Sequence, residues 1–148
     1  MLTHCCSVSA QGYGQWISLE IVNNNESDSG ISIWITDIDL DYGKLYDGQN
    51  MDKGVNKDDI IGTEISPKNS HTVSSCGRKF SATGTEGTVT VSDRKQGGAR
   101  IAGIYWDCPY SGDNRLEHRN KNNDWLVDVS SVKPDGPIRE ARATFSKD

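Results

Sequence analysis

The chain is predicted to be all-β, a single-domain β-sandwich of about eight or more short, mostly antiparallel strands. Three observations predict this. Apolar residues recur with a period of two in several separate windows. Glycine is abundant, at 15 residues, and Asn, Asp and Ser cluster between those windows, as turns require. The few helix-compatible windows are short and broken by Gly or Asn. A length of 148 residues fits one domain, expected over 12–148, preceded by a flexible segment over 1–11.

The first strand is expected at Trp16 to Val22, where Ile17, Leu19 and Ile21 point one way and Ser18 and Glu20 the other. After the polar turn Asn23 to Gly30, alternation resumes over Ile31 to Leu40. There the apolar set switches from Ile31, Ile33 and Ile35 to Trp34, Ile38 and Leu40, which predicts a bulge or a crossing between sheets. Tyr42 to Gly62 is polar and reads as a long excursion with at most a short strand, or a turn of helix near Asp58 to Ile61. Further strands are expected at Gly62 to Ser66, Ser70 to Ser75, Gly87 to Ser92, Arg100 to Trp106, Asp124 to Val129 and Ile138 to Phe145.

Composition narrows the function classes. Sixteen basic against 21 acidic residues give a net charge of −5, a field that repels nucleic acid and anionic lipid. No run approaches the roughly 20 apolar residues of a spanning helix, and Met1 to Gln11 lacks the pattern of a secretory signal. Cys5, Cys6, Cys76 and Cys108 show no CxxC spacing, so no metal is expected. Cys76 and Cys108 lie in or beside apolar segments and suit either buried thiols or a disulfide. Asp37, Asp39 and Asp41, followed by Gly43, begin like a calcium loop. The position that needs a bidentate acid is Gly48, however, and strand alternation puts all three carboxylates on one solvated face. His4, His71 and His118 are scattered, and no Ser lies in a GxSxG elbow, so no catalytic residue and no cofactor is expected.

The aromatic run is more informative. In Tyr105-Trp106-Asp107-Cys108-Pro109-Tyr110 a strand ends at a proline, with Tyr105 and Trp106 on opposite faces and Tyr110 in the loop beyond. Trp106 suits either the core or a binding surface. An exposed tyrosine suits a membrane interface or a choline-like cation.

Four motifs in order give the chain a resemblance to the aegerolysins. Gly14-Gln15-Trp16 is similar to their Ala-Gln-Trp, and Tyr42-Gly43-Lys44-Leu45 to their Trp-Gly-Lys. Ser75-Cys76-Gly77-Arg78, with Thr83 to Thr88 after it, resembles their Cys-Gly-Arg segment, and the aromatic run resembles their Trp-Asp-Cys-Pro-Trp. Together these span about Gly12 to Phe145. The resemblance implies a non-enzymatic β-sandwich that binds membrane sphingolipid, with or without cholesterol. It further implies one half of a two-component cytolysin or insecticidal toxin whose perforin-like (MACPF) partner crosses the membrane. It carries Trp16, Tyr42, Trp106 and Tyr110 to the lipid-contacting end and offers Lys44 or Arg78 to the phosphate. Secretion or release without a recognisable signal peptide, and action at a target-cell membrane surface, are expected. Tyr42 and Tyr110 stand where the family has Trp, Leu116 replaces another Trp, and Thr83 replaces an acid tied to lipid selectivity. A carbohydrate-binding, lectin-like sandwich is the alternative, with Trp106 and Tyr110 stacked on a sugar. A hydrolase with a noncontiguous acid pair is the third reading.

Overall fold

The computed structural model describes residues 13–148, and the segment 1–11, with His4, Cys5 and Cys6, lies outside them. Eleven strands follow in chain order: β1 (Trp16–Asn23), β2 (Ile33–Tyr42), β3 (Lys44–Asp47), β4 (Asn50–Gly54), β5 (Glu64–Ile65), β6 (Ser70–Cys76), β7 (Thr85–Ser92), β8 (Arg100–Cys108), β9 (Arg115–Arg119), β10 (Trp125–Val129) and β11 (Arg139–Lys147). One sheet has the order β10-β11-β1-β6-β3-β4 and the other β5-β2-β7-β8-β9. The pairings are antiparallel except that of β1 with β11, which is parallel. The predicted β-sandwich is the observed one.

Ile17, Leu19 and Ile21 of β1 point into the space between the sheets, where they join Ile33, Ile35, Ile38, Val89, Val91, Ile101, Ile104 and Phe145. The switch of face in β2 is a bulge, since Ile35 pairs with Val91 and Asp37 with Thr90, leaving Thr36 as the extra residue. That extra residue keeps Ile38 pointing inward after Ile35, and Trp34 stays half-buried on the opposite face.

Two parts of the architecture depart from the expectation. The polar excursion holds a hairpin, β3 and β4, before a single 3-10 turn at Lys57–Asp59. Beyond the aromatic run, β9 pairs with β8 along Gly103↔Arg119 to Asp107↔Arg115. Asp37, Asp39 and Asp41 lie exposed along the outer face of β2, as alternation requires.

A smaller cluster of Tyr13, Trp16, Tyr46, Met51 and Cys76 covers the outer face of the six-stranded sheet near the start of β1. Cys76 and Cys108 are free thiols, fully buried, and burial pushes them up to about 12 and about 11.

Candidate functional site

The strand registers bring one set of strand ends together. Cys76 at the end of β6 pairs with both Trp16 and Lys44, Thr85 at the start of β7 pairs with Cys108, and Tyr42 pairs with Glu86. The β2–β3 turn at Gly43, the β6–β7 loop (77–84) and the β8–β9 loop (109–114) therefore emerge at the same end of the sandwich. Gly43 is required there. Its φ is +95°, and a Cβ would sit 2.8 Å from the Cys76 carbonyl oxygen and from Thr85.

A cleft of about 640 Å³ opens between these loops, lined by Asp41, Tyr42, Arg78, Thr83, Tyr110 and Ser111 among others. Three of the six expected contact residues, Tyr42, Arg78 and Tyr110, meet in it. Tyr42 is 42% and Tyr110 64% exposed. Arg78 is exposed and forms no salt bridge among the described residues. Its backbone N–H donates to Thr83 Oγ1 at 2.7 Å, which fixes the start of the loop and leaves the guanidinium available.

The other three are placed differently. Trp106 is 1% exposed, because alternation along β8 directs it between the sheets. Its Nε1–H donates to Thr85 Oγ1 at 3.1 Å, and Gly87 directly opposite leaves room for the ring. Trp16 is 3% exposed, covered by the cluster containing Tyr13, Tyr46 and Met51. Neither indole reaches the surface, so the expectation that Trp16 and Trp106 contact lipid is corrected: both are core residues. Lys44 lines an adjoining groove, where it donates to Tyr13 Oη at 3.1 Å. Tyr13 in turn donates to Asp52 at 2.8 Å, a bond that with Lys79 lowers the Asp52 carboxyl below its usual range.

Beneath the cleft two side-chain amides cross-link the backbone. Gln15 donates to the carbonyls of Pro109 and Gly136, and Asn114 donates to those of Lys133 and Gly136 at 3.0 and 2.8 Å. These bonds tie the start of β1, the loop bearing Tyr110 and the β10–β11 connection into one base. Beside the cleft, Tyr42 donates to Asp107 Oδ1 at 3.2 Å. Burial, then the Asp107 charge, pushes its phenol up to about 12. Tyr105, hydrogen-bonded to Glu86, lies under the Arg119 guanidinium, 3.6 Å from its ring centroid.

Sequence reasoning missed two residues at this end. Tyr13 precedes the first strand with no periodic signal. Phe80, 80% exposed in the β6–β7 loop, was signalled by a lone large ring directly after Arg78 and Lys79.

A second concavity of about 660 Å³ lies on the outer face of the six-stranded sheet. Exposed rings are absent from its lining, which includes Ser18, Thr72 and Glu140, and Glu20 there is paired with Arg142 at 2.9 Å. Arg142, the basic residue of that lining, is thereby taken up by Glu20 and no ring opens into it, so the end bearing Tyr42 and Tyr110 is the candidate site.

Comparison with known proteins agrees with this architecture. The aegerolysin family model matches residues 14–147. Aegerolysin Aa-Pri1 from Cyclocybe aegerita is 32% identical over 126 residues, 84% of each chain. Asp-hemolysin from Aspergillus fumigatus is 31% identical over 83% of this chain and 85% of its own. The crystal structure of IP-1A from Alcaligenes faecalis superposes with a TM-score of 0.78 at 27% identity, covering 95% of this chain and 96% of that one.

Proposed function

The chain belongs to the aegerolysin family, and from that premise we propose that it recognises a zwitterionic sphingolipid head group in the cleft between Tyr42 and Tyr110. One observation carries this reading: an exposed guanidinium, Arg78, with no salt bridge among the described residues, stands in a cleft with two exposed phenol rings and a carboxylate, Asp41. A phosphodiester presents two oxygens to a guanidinium fork, and a quaternary or primary ammonium favours the face of an aromatic ring or a nearby carboxylate. Phosphocholine and phosphoethanolamine both carry that pair of charges. Lys44, engaged with Tyr13, supports the site from the adjoining groove.

The family supports lipid binding with a haemolytic or toxin-related role, and Asp-hemolysin among the relatives is named for haemolysis. We assign this chain the recognition half of a two-component cytolysin or insecticidal toxin acting at a target-cell surface. No helix among the described residues is long and apolar enough to cross a membrane. The perforation step is assigned to a perforin-like partner, as the resemblance to the family implies.

Sedimentation with vesicles of phosphatidylcholine, sphingomyelin plus cholesterol, and ceramide phosphoethanolamine plus cholesterol tests the reading. Binding to at least one sphingolipid mixture is expected, with no dye release by the chain alone. Arg78→Ala and Tyr110→Ala should each weaken binding by about tenfold or more at an unchanged melting curve. Failure to bind any mixture, or full binding by both variants, overturns it.

A further inference from the structure

The chain has two phenylalanines, and they are treated oppositely: Phe145 is fully buried, whereas Phe80 is 80% exposed. Phe80 also has a φ of +53°, in the left-handed region that bulky side chains avoid. A turn alone would be better served by Gly or Asn, so neither packing nor backbone preference accounts for a ring here. The exposed large hydrophobic residues among those described are Tyr42, Phe80, Tyr110 and Leu126. The first three stand at one end of the sandwich, and Phe80 is the most exposed of the four.

We propose that Phe80 is a second membrane contact, an apolar anchor on the β6–β7 loop that enters the boundary between head groups and acyl chains beside the head-group cleft. A bilayer fits this surface better than a protein does. The ring stands alone on a loop, not within the broad contiguous patch that a stable protein interface needs. A cation lies beside it: Lys79 Nζ is 5.4 Å from the ring centroid. An apolar tip ringed by a flexible ammonium suits the interface, where the ring meets acyl carbons and the ammonium stays level with phosphates. Lys79 also forms an exposed salt bridge with Asp52 at 3.2 Å. The cleft and the anchor then act on different parts of the membrane, one on a head group and the other on the apolar layer beneath it.

This inference rests on the tip facing a bilayer, and its test separates the two. Trp16, Trp106 and Trp125 are buried and Trp34 half-buried, so an exposed Trp introduced by Phe80→Trp reports its own surroundings. With sphingomyelin–cholesterol and ceramide phosphoethanolamine–cholesterol vesicles containing bromine-labelled phosphatidylcholine, Phe80→Trp emission should shift to the blue and be quenched on binding. Phe80→Ala should weaken vesicle binding about tenfold, less than full burial of a phenylalanine gives, because the ring reaches only the interface. Phe80→Leu should keep most of it. All three variants should bind soluble phosphocholine and phosphoethanolamine as the parent does. Unquenched emission from vesicle-bound Phe80→Trp overturns the anchor. So does vesicle binding by Phe80→Ala equal to the parent's while Arg78→Ala and Tyr110→Ala lose theirs, and the cleft then stands alone. A loss in Phe80→Ala confined to a protein partner likewise overturns it. A parent chain that sediments with no vesicle overturns both readings.

Discussion

The indole of Trp106 can only donate a hydrogen bond, so burying it obliges the surrounding side chains to supply an acceptor. Thr85 supplies it. Thr85 Oγ1 also lies 2.6 Å from Ser75 Oγ, and the Ser75 hydroxyl donates to the Lys44 carbonyl at 2.8 Å. Counting donors fixes the direction of this relay. Ser75 spends its proton on the carbonyl, so the Thr85 hydroxyl must donate to Ser75. A buried chain thus runs from the core tryptophan to the backbone of the turn that carries Tyr42 and Lys44. Thr85→Val keeps the shape but leaves the indole N–H unpaired and breaks the relay, at a cost of about 1–3 kcal/mol in urea unfolding. Thr85→Ser restores the hydroxyl and should recover most of that loss. Equal stability of the Val and Ser variants would show the relay to be energetically idle. The distinction between Trp106 and Tyr110 follows the same chemistry: one is committed to internal partners, and the other has its ring open to a ligand.

At the scale of elements, the outer face of the five-stranded sheet sets Glu86 of β7 directly opposite Asp107 of β8. Like charges in that position oppose one another. Burial first, and then the Glu86 charge, holds the Asp107 carboxyl above its usual range. A folded-state value raised in this way favours folding while the group is protonated, below an ordinary carboxylate value of about 4. That contribution is lost as pH rises through the elevated folded value. Asp107→Asn keeps an acceptor for Tyr42 and never ionises. It should be more stable than the parent at neutral pH, with the difference closing as pH falls through the acidic range. Urea midpoints measured across that range check it, and a difference independent of pH would remove Asp107 ionisation as the cause. The elements also show what the sequence made legible. Strands with one buried face, such as β1 and β7, were read from their alternation. The β3 strand was not, because Leu45 enters the main core while Tyr46 packs in the outer cluster, and two buried faces erase the period of two. The β9 strand was hidden for the opposite reason: Arg115, Glu117 and Arg119 pair along the outer face of an edge strand, and Leu116 is its one apolar residue. Within the site, the resemblance to the family pointed to Tyr42, Arg78 and Tyr110, whose loops converge. Whether a tryptophan at the end of a strand turns inward or outward depended on the register of its neighbours, which no local pattern carries.

For the whole molecule, the relevant quantity is the balance between a net charge of −5 over the entire chain and the local character of a tip bearing Arg78, Lys79 and exposed rings. The body's field opposes approach to an anionic leaflet, whereas contacts at the tip act over a few ångströms and depend on head-group geometry. Recruitment of this kind should respond weakly to salt. Raising ionic strength from about 0.05 M to about 0.5 M shortens the screening length from roughly 14 Å to roughly 4 Å, and affinity for sphingolipid–cholesterol vesicles should change by less than about threefold. A protein held by a polybasic surface would lose about 1 kcal/mol per engaged Lys or Arg under the same change. Adding phosphatidylserine to the vesicles should leave binding unchanged or weaken it, because the new negative charge repels the body more than it attracts two tip cations. Flotation of the parent chain across the salt series, with and without phosphatidylserine, checks both expectations. A steep loss with salt together with stronger binding to phosphatidylserine would mean that charge, not the cleft and its rings, brings the molecule to the membrane.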